Sequence, residues 1–597
     1  MLERQQSRSE RRNERKFTNR FAPYVAWLYL PLSFLPNLNT WLQGPTHTLT
    51  GGTGGDTGHE VWFLGVVAHQ LRHFHSPFFT DVANVPRGIN LTNVTSMPFL
   101  GTLAAPLTWI WGPVFSYNFL TVVSTVVSAL AMYWAAGRFA SNRSARFAAG
   151  LLYGFSPFMA AQLWGHLFLS SIYVFPAMIV AIHEIFVRQV WSPRISGGLL
   201  TLCLIVQIGI SPELLLDALI CAIVPIIIVA ASLVRRPRAA SAYVGKCLAT
   251  AAGFAAFPLG LFLYEFLYGK GHMVGAYRSA STVDHLKMDI VSFVFPSSIQ
   301  KFGFGISQTI DSYTYLMNPS FVPDMFETGG YIGIPLLIFL AVVAPRIWRR
   351  REVWILSLGG LVALLLSLGK EPSMAGHALG VQGPFTLFQS LPLLESSIAS
   401  RWTLFMWLFL AIVVAIGIDR ALATVKSSVD SRMRTARFSG LIALAVAVVL
   451  ALLPNWPMSN EEQQVPKWFQ SAHASQLTLN DVVLTSPLPQ NGAPLAMMWQ
   501  AVSGFNFRLA YGSAGPQTSE ATPAKLLVAQ CDTPKAPTIP DLTLLSQAQQ
   551  ELRGMGVTKL ISTTYSSNPT CARIVFSALA GTPGIDQDDV RVWNFAQ

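Results

Sequence analysis

The sequence predicts an all-α polytopic membrane protein of about eleven transmembrane helices, followed by a small C-terminal α/β domain. Three observations carry that reading. Of the 597 residues, 52% are hydrophobic and 12% charged, and the mean hydropathy is +0.43. Apolar runs of about 20 residues recur, the length that crosses a hydrocarbon layer as a helix. From Trp456 onward the composition changes: eight Lys/Arg stand against ten Asp/Glu, a net of −2, leaving +13 for everything before it.

Residues 1–20, LERQQSRSERRNERKFTNR after the first Met, form a basic arm that reads as cytoplasmic, with no cleavable signal ahead of the first span. Spans are expected near Phe21–Leu42, Tyr117–Ala136, Phe147–Leu163, Leu167–Phe186, Gly198–Ile210, Leu214–Leu233, Leu248–Tyr268, Tyr331–Ala344, Val353–Leu368, Trp402–Ile418 and Leu441–Leu453. Pro98–Trp111 is apolar but interrupted by Pro106, Gly112 and Pro113, which suits a re-entrant or interfacial piece. The loops after spans two, four, six, eight and ten are short and basic; the alternate loops are longer, aromatic and near neutral. One orientation satisfies all of them, with the N-terminus inside and the last domain outside, a multi-pass protein of the plasma (inner) membrane. The expected division is thus an arm at 1–20, a transmembrane domain at 21–453 with a first outer loop at 43–116, and an extracytoplasmic domain at 454–597. In the last of these, Asp481–Thr485, Val557–Thr564 and Val590–Phe595 read as strands, and Leu542–Met555 and Ala572–Leu579 as helices. Pro487–Pro516, rich in aromatics and Met, suits a cap over the membrane part. If this region lies outside, Cys531 and Cys571 are candidates for a disulfide. Cys203, Cys221 and Cys247 fall in or beside spans and read as core.

The most informative stretch is Gly51–Pro98, too polar to cross a bilayer yet flanked by membrane runs. Asp56 follows a glycine-rich approach and opens an amphipathic helix. A carboxylate there serves as the base that takes a proton from an attacking hydroxyl; the plainer alternative is helix capping, with Thr57 as N-cap and Glu60 three residues later. His59 and Glu60 are placed beside it as candidate substrate contacts. Asp81, before a Pro-Arg-Gly corner, is a second acid, a metal ligand or an Asx-turn residue. His69, His73 and His75 match no strong metal spacing. His166 and Glu213 sit at outer turns, where polar side chains face a cavity opening outward, and Asp217 lies one turn below Glu213. Arg401 breaks the charge pattern at the outer end of a span, which suits either a bidentate phosphate clamp or snorkelling. Arg278, Lys287 and Lys301 are further candidates for the phosphate. Asn90 and Asn93 match the glycosylation acceptor pattern. No Walker A loop, no GxGxxG after a strand and no HExxH occurs, and no reader motif accompanies the basic arm, so nucleotide-driven chemistry and nucleic-acid binding are both unsupported.

Taken together, the acid-bearing first outer loop, Pro86-Arg87-Gly88-Ile89-Asn90 (PxGxN), Gly154–Pro157 (GFSP) and the position of Arg401 resemble the GT-C superfamily of membrane glycosyltransferases. Within it they look like those of the bacterial multi-span type with a C-terminal extracytoplasmic domain. The resemblance covers roughly Phe21–Leu453. It implies a hexosyl- or pentosyltransferase that moves a sugar from a polyprenyl-phosphate donor, among membrane lipids, to an envelope glycan, lipid or glycoprotein, with inversion. Asp56 would be the first-loop catalytic acid and Arg401 the phosphate-binding residue. Several such families carry two adjacent acids; here Thr57 follows Asp56, which leaves dependence on a divalent cation (Mg, Mn or Ca) open. The alternative is a transporter or flippase for an envelope lipid or glycan precursor; that class shows repeated halves with helices broken in matching positions, and no convincing repeat is visible.

Overall fold

The computed structural model describes residues 23–52, 55–235, 237–273, 280–302, 327–389, 394–428, 430–489, 494–514, 521–532 and 541–595. Among these, six helices are long and apolar enough to cross a membrane: Pro98–Ala136, Leu167–Arg188, Pro212–Ala231, Arg238–Tyr268, Ala399–Lys426 and Ser431–Leu452. Shorter apolar helices, Pro193–Ile208 and Ile334–Ile347, accompany them, as does Arg351–Ser367. The molecule is a helical membrane protein.

Several expected spans are interrupted, each for a local reason. The first is two helices, Pro23–Phe34 and Leu38–Gln43, parted where Pro36 removes a backbone donor and restricts the residue before it. In Pro98–Ala136 the break falls at Gly112 (φ 84°, ψ 168°), a conformation few side chains tolerate, while Pro106 stays inside the helix. The third span is a helix Arg143–Gly154 and a short turn Pro157–Gln162. GFSP joins them: a Cβ on Gly154 would meet the Ala129 backbone at 2.9 Å, and Ser156 caps the second piece by accepting from Met159 N. The fourth span starts with Leu167–Ser170, resumes as Val174–His183 and ends in a π-turn, Glu184–Arg188.

Loop contacts show which intervals share an end of the bundle. Asn142 N donates to Asp419 at 2.8 Å, Arg138 faces Glu184 at 3.5 Å, Gln189 reaches Ala240 O at 3.1 Å and Arg351 reaches Ile228 O at 3.1 Å. These are the basic loops, gathered together. The first outer loop, the His166 turn, Glu213 and Arg401 meet at the other end, as described below.

The C-terminal residues form a five-stranded sheet in the order Ile585–Gln587, Val590–Asn594, Val557–Thr563, Val482–Ser486, Arg508–Leu509. Val482–Ser486 runs parallel to both its neighbours, and Val590–Asn594 antiparallel to Val557–Thr563. Helices Leu542–Gly554 and Pro569–Ala580 flank it, and Cys531 and Cys571 form a disulfide. Packing does not stop where this region begins. Val483, Ile561, Trp468, Phe469, Met497 and Trp499 share one continuous apolar cluster with the membrane helices. A separate cluster, including Leu527, Leu552, Leu560 and Phe576, fills the sheet's other face. A two-stranded ribbon adds a backbone link: Thr48–Thr50 pairs antiparallel with Asn460–Glu462.

The first outer loop is held between these two parts. Its helix, Gly55–Arg72, buries Val61, Trp62, Leu64, Val66 and Val67 completely, each contributing about 1.5–3 kcal/mol in apolar burial. Trp62 Nε1 donates to Gln500 at 2.8 Å, and Gln500 in turn donates to Val82 O and Phe507 O. Asn84 donates to Ala514 O and accepts from Gly512 N. PxGxN forms the corner of a small hairpin, Phe79–Thr80 with Ile89–Asn90, and Gly88 adopts φ +74° where a Cβ would strike Phe79 and Thr80. Asn90 donates to Glu265 O and Lys270 O and accepts from Thr92; Asn93 bonds Phe266 O and Met273 N. Both sequon amides are therefore committed to tying this loop to the end of Arg238–Tyr268, which leaves them unsuited to carry a glycan.

Candidate active site

Two carboxylates of the outer-loop helix grip one turn of the bundle. Asp56 and Glu60 are four residues apart and so share a helix face. Asp56 Oδ2 lies 2.9 Å from His166 Nε2. Glu60 accepts the Leu167 N–H at 2.7 Å. Glycines permit the approach: a Cβ on Gly165 would meet Thr57 Oγ1 at 2.9 Å, and one on Gly51 (φ +77°) would meet Trp164 O at 2.1 Å. The expected capping box is thus not formed. Thr57 lies inside a helix that begins at Gly55, and Glu60 serves the next segment's backbone instead of its own.

The two acids are shifted in opposite directions. Glu60 is 2% exposed; burial pushes its carboxyl well above the usual range, against the pull of the Leu167 and Phe168 N–H groups, and the Asp56 charge adds to the rise. Asp56 keeps half its side chain open to solvent, 51%, so the burial that opposes ionisation counts for less. The hydrogen bond and charge of His166, then the charges of His59 and Arg401, hold it below the usual carboxylate range. The two carboxyls are thus pushed in opposite directions, a divergence that marks acid–base sites. His59, one turn beyond Asp56, bonds the Ser513 hydroxyl, which also contacts Met497 Sδ at 3.1 Å.

Arg401 stands beside this cluster with its guanidinium paired to two carboxylates. It is 2% exposed, with Nε on Glu327 at 3.0 Å and Nη1 on both Glu213 oxygens at 3.2 Å. Ser400 completes the set by donating to Glu327 at 2.6 Å. The guanidinium lies 5.5 Å from the Phe168 ring, whose edge faces His166, so the two clusters adjoin. One turn below Glu213, Asp217 accepts from Ser397 at 3.2 Å.

The remaining candidates divide. Lys287 lies beside this cluster, because the preceding residue's carbonyl, Leu286 O, accepts from Ser400 N; its ammonium bonds Glu371 O. Arg278 lies outside the described residues. Asp81 is exposed at its turn, and no contact places it with Asp56. Lys301 is an exposed residue whose N–H meets Leu453 O. The His69 and His73 rings lie 4.4 Å apart and tilted to one another, and burial with the neighbouring His73 and His75 pushes His69 down to about 4. Among the described residues no three His, Cys, Asp or Glu groups converge as a metal site would require.

Sequence reasoning missed Glu327, Ser400 and Ser513. Each is remote from its partner along the chain, by 74 residues for Glu327 and Arg401 and by 454 for His59 and Ser513. Only the unusual outer Arg401, which needs a counter-charge wherever it is buried, gave a signal for a missing acid.

Comparison with solved structures places this architecture. The chain superposes on arabinofuranosyltransferase AftD from Mycobacteria with TM-scores of 0.50 and, for a mutant form, 0.54, at 14% identity over 97% of this chain. It spans only about two fifths of that protein's length, 40–42%. The oligosaccharyltransferase of Archaeoglobus fulgidus aligns over 92% of this chain and 70% of its own, with 13% identity and a TM-score of 0.44. No curated protein matches the sequence. The fold is similar to that of arabinofuranosyltransferase AftD. Residues 41–457, most of the chain, match the family described as "Domain of unknown function (DUF6311)", and the protein belongs to that family.

Proposed function

We propose that the protein is a membrane glycosyltransferase that moves a sugar from a polyprenyl-phosphate donor to a hydroxyl of an envelope glycan, lipid or protein, with inversion, Asp56 acting as the base. The observation that carries this is the half-open, ionised Asp56 held by His166 at the end of the bundle opposite the basic loops. In our reading eleven spans cross the plasma membrane, the arm at 1–20 faces the cytoplasm, and Asp56 and the domain 454–597 lie outside. The acceptor O–H gives its proton to Asp56 as oxygen bonds the anomeric carbon, and the polyprenyl phosphate departs with the electron pair of the broken C–O bond. His166 orients the carboxylate. Glu60 anchors the His166–Leu167 turn by accepting the Leu167 N–H. Arg401 acts through space, stabilising the Asp56 carboxylate, and Lys287, one residue from the backbone contact to Ser400, is the cation best placed for the leaving phosphate, with Arg278 assigned to the same task. A sugar of either pentose or hexose class suits this scheme.

The test is transfer from a synthetic polyprenyl-phosphate sugar by protein reconstituted in vesicles. Asp56→Asn should lower the single-turnover rate by about 10²–10⁴-fold, the usual share of a general base, while thermal unfolding shows that the variant still folds. Turnover at the wild-type rate would refute the role given to Asp56.

A further inference from the structure

The bundle holds a second feature that the transfer reaction does not use. A cavity of about 250 Å³ lies among helices Val174–His183, Pro212–Ala231, Arg351–Ser367 and Thr403–Lys426. Its walls are apolar, among them Met178, Ala222, Pro225, Leu356, Phe405 and Phe409. Its polar lining is confined to His183, Ser232, Arg351 and Glu352. All four lie at the helix ends where the basic loops gather. Arg351 and Glu352 are exposed, as are Arg349 and Arg350 beside them. The Arg351 guanidinium bonds one backbone carbonyl, Ile228 O, at 3.1 Å, which leaves most of its five donors for another partner. From that polar mouth the cavity extends to Phe405, one helical turn from Arg401, and to Phe175, which meets Phe405 edge to face at 5.2 Å.

A greasy slot with a cationic mouth at the membrane boundary matches one chemistry: an aliphatic chain carrying a phosphate. We propose that this cavity binds one acyl chain of an anionic glycerophospholipid from the leaflet on the basic side, its phosphate held by Arg351. Charge complementarity selects the occupant, because three consecutive arginines at the mouth attract anionic headgroups of that leaflet. Glu352 at the same mouth repels a bare phosphate but accepts from headgroup hydroxyls, which favours a phosphatidylglycerol-type lipid. The site has a structural consequence as well. Pro212–Ala231 carries Glu213 at its far end, and the helix of Phe405 and Phe409 follows directly on Arg401. A chain lodged between these helices would set the spacing of the Glu213–Arg401 pair. This inference rests on the membrane-spanning reading of the helices and is independent of the transfer reaction.

The experiment is native mass spectrometry of the full-length protein in detergent, exposed to phosphatidylglycerol, phosphatidylcholine, undecaprenyl phosphate or inorganic phosphate. Phosphatidylglycerol should be retained about fivefold more than phosphatidylcholine, the contribution of one basic residue near an anionic surface. Arg351→Gln should abolish that preference while keeping chain binding. Ala222→Phe should fill the slot and abolish retention of both lipids, with thermal unfolding of each variant confirming that it folds. Failure to retain any glycerophospholipid, undiminished retention by Ala222→Phe, or displacement of phosphatidylglycerol by undecaprenyl phosphate or by inorganic phosphate would overturn the assignment. Loss of transfer in Asp56→Asn, or its survival, would leave this result untouched.

Discussion

Asp56 and Arg401 raise the same question in the sequence, since each is a charged residue at the outer margin of an apolar region, and the structure answers it in opposite ways. Asp56 keeps half its surface open and one imidazole at 2.9 Å, so its free oxygen can meet a substrate. Arg401 is closed off, with two carboxylates and an aromatic face around it. The contrast teaches that a charge beside a membrane is not by itself a ligand site. Burial sets the demand for counter-charge, and Arg401 meets that demand inside the protein with Glu213 and Glu327.

The sharpest way to break that comparison is Arg401→Ala. If the ion pairs hold the architecture, removing the guanidinium strands Glu213 and Glu327 and should destabilise the protein by about 3–5 kcal/mol, read by thermal or chemical unfolding in detergent. A rise in donor KM with stability unchanged would restore the phosphate clamp and sink the structural role. Next in size is His166→Gln. The imidazole is the main group holding Asp56 below the usual carboxylate range, so its loss should raise the Asp56 pKa toward the ordinary value of about 3.9. The acid limb of kcat against pH should move upward. The sign follows from linkage: a depressed carboxyl lends stability above its unfolded pKa and loses it as pH falls through the folded value, so the variant should also lose less stability on acidification than wild type. An acid limb that stays in place would show that His166 does not act on Asp56. Smallest is Ser513→Ala, which removes one hydrogen bond to His59. A loss of about 0.5–1.5 kcal/mol is expected, together with a modest fall in kcat as the C-terminal region loosens over the outer-loop helix. Equal activity and stability would mean that this contact only fills space.

Particular residues show where legibility ended. The basic-loop rhythm was readable because charge beside apolar runs is a one-dimensional pattern, and the loops it marked do touch one another through Asn142, Asp419, Arg138 and Glu184. The pairing of Asp56 with His166 was half readable: both were singled out, but nothing along the chain says that two residues 110 apart share a hydrogen bond. The capping-box reading failed at Glu60 because a carboxylate takes the best N–H within reach, and Leu167 offered it across the fold. The break at Gly112 fell among the three interrupting residues because Pro106 can sit in a helix whose freed carbonyl finds another donor, whereas Gly112 at φ 84° cannot continue one.

Composition and periodicity alone determined that this chain is a helical membrane protein, with basic intervals recurring between its apolar runs and one acid-bearing loop among them. Those properties are local, because hydrocarbon rejects charge and unsatisfied backbone wherever they occur. The tertiary structure alone decided which charges stay available. Glu327 closes on Arg401, Ser513 reaches His59, and Glu60 is buried with its carboxyl pushed up while Asp56, one turn away on the same helix, stays half open and is pushed down. Such outcomes depend on which distant groups arrive within hydrogen-bond range, and only the folded chain sets those distances.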